Sequence, residues 1–134
     1  MVMGQFLKLA AVGSVSFMVL DGLWLGVLMK RFYRDQLAPV ARMADGGIAP
    51  NWPAAFMVYV LLGTGIALFV IPRASSAQSA ILWGAAFGLV VYGVYDFTNY
   101  STLRQWPFVV TLADVAWGAV ASATSAWAAR MVAQ

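Results

Sequence analysis

Four apolar runs, at 6–29, 54–72, 80–100 and 108–129, take up most of this 134-residue chain, each about 19 to 24 residues long. At 1.5 Å per residue, a helix of that length spans roughly 30 Å, the thickness of a bilayer's hydrocarbon core. Lipid offers no partner for a bare N–H or C=O, so each run is predicted to be an α-helix that satisfies its own backbone. Composition agrees: with 63% apolar and only 10% charged residues, the chain cannot clothe a water-facing surface. The expected fold is all-α, an integral membrane four-helix bundle forming a single transmembrane domain over 1–134. The first run is too long for a signal-peptide core and carries Asp21, so it is expected to persist as a helix.

The connections add one element. Residues 30–53 form the only long loop; it opens with Lys-Arg-Phe-Tyr-Arg-Asp-Gln-Leu and closes in a Gly-Gly, Pro50 and Pro53 stretch that cannot continue a helix. Its first half mixes Arg31, Arg34 and Asp35 with Phe32, Tyr33 and Leu37, the pattern of a short amphipathic helix lying on the membrane surface just after the first span. Pro107 suits a helix start, where a missing N–H costs nothing. Four crossings put both termini on one side. Lys30, Arg31, Arg34, Arg42 and Arg104 lie on the loops opposite, against Lys8, Arg73 and Arg130 on the terminal side. The positive-inside rule then places the termini outside, which in a bacterial inner membrane is the periplasm.

The absence of Cys and His excludes disulfides, zinc and iron–sulfur sites, thiol nucleophiles and imidazole chemistry. No phosphate-binding loop, nucleotide fingerprint or nucleophile elbow occurs. Lys8 and Lys30 both fall at helix ends, poor places for a buried Schiff base. No cofactor and no metal are expected, although a hard cation such as Mg²⁺ or Ca²⁺ could still use Asp oxygens. A net charge of +3, scattered along the chain, points to lipid head groups rather than nucleic acid.

The acids are the most informative residues. All five are Asp; Asp35 and Asp45 belong to the long loop, whereas Asp21, Asp96 and Asp114 lie inside the first, third and fourth runs. A carboxylate near the bilayer centre costs about 2.5–3.5 kcal/mol on insertion scales, so such residues normally face the bundle interior or a watery cavity. Counted from the side of the 30–53 and 101–107 loops, Asp21 lies about 13 Å deep, Asp96 about 6 Å and Asp114 about 9 Å. All three occupy one half of the membrane. At 100° per residue, Trp24 shares a face with Asp21, Tyr92, Tyr95 and Asn99 share one with Asp96, and Thr111 shares one with Asp114, with Trp117 at its border. Turned inward, these stripes make a polar pocket walled by Trp24, Tyr92, Tyr95 and Trp117. Desolvation and repulsion oppose the ionisation of all three acids together. Buried Asp can equally serve as glue, bonded to Tyr, Trp or Thr, or paired with a snorkelling Arg104. The second run has no charge, and its Tyr59, Gly63 and Ala67 read as packing surface; Tyr33 reads as one of the interfacial aromatics.

Residues 95–107 read Tyr-Asp-Phe-Thr-Asn-Tyr-Ser-Thr-Leu-Arg-Gln-Trp-Pro, followed by Asp-Val-Ala-Trp-Gly at 114–118. The first run ends in Leu-Asp-Gly-Leu-Trp-Leu-Gly at 20–26, with Phe32 and Tyr33 beyond. These motifs resemble those of an uncharacterised family of small bacterial four-helix inner-membrane proteins, classed as a domain of unknown function. The likeness spans nearly the whole chain. It implies that Asp21, Asp96, Asn99, Tyr100, Trp106, Asp114 and Trp117 belong to one site, and it tilts the reading toward lipid-related work. Three functions fit. The first is a small proton-coupled transporter or a lipid translocator, expected at this size to dimerise; the second is a membrane-embedded lipid-modifying enzyme; the third is an accessory or structural membrane subunit.

Overall fold

The computed structural model describes residues 1–134. Four long helices and one short one make up the fold. Helix α1 (Met3–Leu23) runs on into a wide π-helical turn at Trp24–Leu28, closed by the Met29 N–H on the Trp24 carbonyl at 2.7 Å. Helix α2 (Lys30–Leu37) follows directly. Helix α3 (Trp52–Gly65) continues through a second π-helical turn (Ile66–Val70) and a 3₁₀ turn (Ile71–Arg73). Pro72, which has no N–H and crowds the preceding turn, ends it. Helices α4 (Ala77–Thr102) and α5 (Phe108–Val132) complete the bundle.

Four helical segments, Met3–Leu28, Trp52–Arg73, Ala77–Thr102 and Phe108–Val132, are long and apolar enough to cross a membrane. They exceed the apolar runs by a few residues because polar groups carry the helix outward at its ends. Asn51 and Ser76 cap α3 and α4 by accepting from the Ala54 and Ser79 N–H groups, and the hydroxyls of Ser101 and Thr102 fold back onto the Thr98 carbonyl. Between α2 and α3, Met43–Ala44 (β1) pairs antiparallel with Gly47–Ile48 (β2). Asp45 and Gly46 turn this small hairpin at φ 52° and 75°, the positive-φ geometry that an Asp-Gly step favours.

Helices α4 and α5 form an antiparallel hairpin, α1 and α3 a second, and the two are joined through α1 against α5. Small residues permit the close approach. A Cβ on Gly63 would collide with Ser14 and the Ala10 carbonyl, and one on Gly88 with the Gly118 carbonyl. Over Trp52–Gly65, α3 rests chiefly on α1 and meets α4 at its last residue, where Gly65 lies against Phe87; its continuation, Ile66–Val70 and Ile71–Arg73, reaches both α4 and α5. The apolar core, with Leu9, Phe17, Ile66, Val70 and Ala80, accordingly lies toward the termini. On the loop side α3 and α4 stand apart, and α2 folds beneath α1 and α5, burying Tyr33 with Trp106 and Val110.

Candidate functional site

Asp21 sits two-thirds of the way along α1 and its continuation and is 8% exposed. Its carboxylate is fully engaged. The Tyr59 hydroxyl of α3 donates to one oxygen at 2.9 Å, and the Trp117 indole N–H of α5 donates to the other at 2.7 Å. The Trp117 ring stacks on Trp24, with centroids 4.5 Å apart and planes 3° from parallel. Trp24 opens the π-helical turn, a local widening of the helix often found at functional sites. Its indole N–H donates to the Tyr33 hydroxyl at 3.0 Å, and that hydroxyl in turn donates to Asp114 on α5.

Asp114 faces Asp96 of α4 within hydrogen-bonding range. Asp96 is 0% exposed, and neither of its carboxyl oxygens receives a bond from any N–H or O–H donor of the protein. Thr111, buried beside it, links its hydroxyl to the Asp96 backbone carbonyl at 3.4 Å and accepts the Trp106 indole N–H at 3.0 Å. A single chain of contacts, polar except where the two tryptophan rings stack, therefore runs from Tyr59 through Asp21, the tryptophan pair, Tyr33 and Asp114 to Asp96, touching all five helices. Tyr33, outside the spans, has its phenol pushed well above its ordinary range, first by burial and then by the bond it donates to Asp114. It stays a donor.

The structure brings together Asp21, Asp96, Asp114, Trp24, Trp117, Thr111, Trp106 and Tyr92. The Tyr92 ring packs on Gly118, and its hydroxyl lies among Asp21, Tyr59 and Asp114 without a hydrogen bond. Four others stand to one side. Tyr95 is 58% exposed and meets only the edge of Trp106 at 6.0 Å; Tyr100 lies tilted on Phe108 at 5.1 Å, half exposed; Asn99 is half-buried and Arg104 exposed. The sole ion pair, Arg34 with Asp35 at 2.9 Å, is exposed on α2, so no cation neutralises the three intramembrane acids. Tyr33 and Tyr59, whose sequence contexts are those of an interfacial aromatic and a packing surface, supply two of the donors holding the site. The signal for Tyr59 was faint: one phenol in an otherwise apolar stretch, one turn before Gly63.

Residues 6–131 match the model of a family described as Predicted membrane protein (DUF2177). The chain belongs to this family. DUF2177 is a membrane-protein family of unknown function, and with four long apolar helices this member is a multi-pass membrane protein. No curated protein and no solved structure matches it.

Proposed function

We propose that this chain is a small proton-coupled carrier, a transporter or lipid translocator, in which protonation of the Asp cluster alternates with binding of a cationic or lipid head group. The observation that carries this reading is a charge imbalance. Asp21, Asp96 and Asp114 share one network in the membrane-spanning region, and no Lys or Arg is bonded to any of them. Low-dielectric surroundings do not tolerate uncompensated carboxylates, so the balancing charge must come from protons or from a cationic ligand. Membrane lipids are the natural partners, with a homodimer as the working unit. The bacterial inner membrane is the compartment this reading implies, with the termini periplasmic on the count of loop cations.

Proteoliposomes test the proposal. With an inward or outward proton gradient, uptake of a lipophilic cation should depend on Asp21, Asp96 and Asp114; transport unaffected by Asp→Asn at all three would remove it. The facing carboxyls Asp96 and Asp114 favour a second reading, a membrane-embedded lipid enzyme in which one acid donates a proton and the other accepts one. Under that reading, lipid extracts from cells with and without the gene differ.

A further inference from the structure

Two polar side chains beside the acids lack a hydrogen-bond partner, Asp96 and Tyr92 on one face of α4, as do Ser122 and Ser125 farther along α5. Asp96 is completely buried with both oxygens without a donor, and the Tyr92 hydroxyl, one turn earlier, makes no bond either. The other two acids have donors. Asp21 takes Tyr59 and Trp117, Asp114 takes Tyr33, and both indole N–H groups are donated. A buried carboxyl with no donor is an expensive arrangement unless something supplies one. Asp96 and Asp114 can bond to each other only through a proton, because an ionised carboxylate is an acceptor alone. The pair with its shared proton carries one negative charge.

Building on the carrier reading above, we infer that the facing carboxyls Asp96 and Asp114 form the ligand site and that it takes a protonated amine carrying N–H groups, a primary ammonium amphiphile, rather than a quaternary ammonium. The N–H bonds of such a head group find their acceptors in the oxygens of the two carboxyls. Its arrival displaces the shared proton, so one positive charge enters as one leaves and the net charge of the site is unchanged. A quaternary ammonium has no N–H to offer Asp96. It would instead need open aromatic faces, and here Trp24 and Trp117 spend one face each on the other. The titratable groups around the pair are Asp21 from α1, Tyr33 from α2, and Tyr92 and Tyr95 from α4. None is basic, so acidification can only refill the shared-proton position and drive the amine out.

The test compares dodecylamine with dodecyltrimethylammonium, equal in chain length and in charge at neutral pH, by calorimetric titration into the full chain in nanodiscs of zwitterionic lipid. The amine is expected to bind at least about tenfold more tightly, the scale of losing charge-assisted hydrogen bonds. Titration in buffers of different ionisation enthalpy should show about one proton released per amine bound. Asp96→Asn, whose amide brings its own donors, should abolish the preference. Equal binding of both amphiphiles, lost together on Asp21→Asn, overturns this inference and leaves the carrier reading standing. Saturable binding of neither overturns both. Proton release is read on the unaltered protein, so a poorly folding Asp96→Asn chain does not remove the test.

Discussion

The two ends of the bundle are held by opposite means. Toward the termini, helices meet through Gly13, Gly63, Gly84 and Gly88, where even a methyl group would press on a neighbouring backbone or side chain. Toward the loops the contacts are long side chains reaching across: tyrosine and tryptophan donors on aspartate acceptors, with α2 closing the end. Close backbone packing has one good geometry and resists change. A network of aromatic donors has several arrangements of similar energy, and its acids can change charge. The terminal half therefore reads as a fixed clamp and the loop half as the part able to alternate, with α3 and α4 joined mainly from Gly65 onward.

The largest expected effect comes from breaking the clamp. Gly88→Leu should cost about 3 kcal/mol or more in a detergent unfolding titration, because the Gly118 carbonyl lies where the new side chain must go. Five residues along the same helix, Gly93 has open space on its Cβ side, with no atom within 4 Å of where a methyl would stand, so Gly93→Ala should leave stability within about 0.5 kcal/mol. Equal losses at the two sites would erase the distinction between the halves. Next comes the network. Asp114→Asn should reduce proton-driven transport at least about tenfold while shifting unfolding much less than Gly88→Leu does. Smaller still, Tyr59→Phe removes one of the two donors on Asp21 and should cost about 1 kcal/mol, near the measured range for interhelical bonds in membranes.

The smallest effect concerns pH. The folded-state pKa of Tyr33 lies above its unfolded value, so the stability it contributes is fully present below the ordinary phenol pKa and is lost only as pH rises through the elevated one. Hydrogen exchange of α2 should accordingly be unchanged between pH 7 and about 9 once corrected for the intrinsic rate. Tyr33→Phe should quicken it at both pH values. An α2 that loosens within that window in the parent chain would mean that Tyr33 is not its anchor.

Much of this architecture is legible in the sequence because the decisive residues carry signals that lipid makes unambiguous. Apolar length marks the spans, and a carboxylate within one is too costly to be placed idly, so Asp21, Asp96 and Asp114 stand out. What their partners do is less legible. Tyrosine is at home in water, at an interface or in a core, and its type alone gives no direction. Tyr33 is drawn inward by the docking of α2, which no periodicity within 30–53 encodes. Tyr59 gains its role from α1 lying across it. The face that Tyr92, Tyr95 and Asn99 share with Asp96 is too wide on α4: Tyr92 and Asp96, four residues apart, point into the bundle, while Tyr95, one residue from Asp96, turns outward. Arg104, at the rim, lies exposed and joins no ion pair.

The face-to-face tryptophans also have an optical consequence. Two indoles 4.5 Å apart in nearly parallel planes couple their excited states, and one ring is tied to Asp21 while the other is tied through Tyr33 to Asp114. Any motion that parts the two acids must slide one ring over the other. The near-ultraviolet spectrum of the unlabelled protein thus carries a built-in ruler for the opening of its own site.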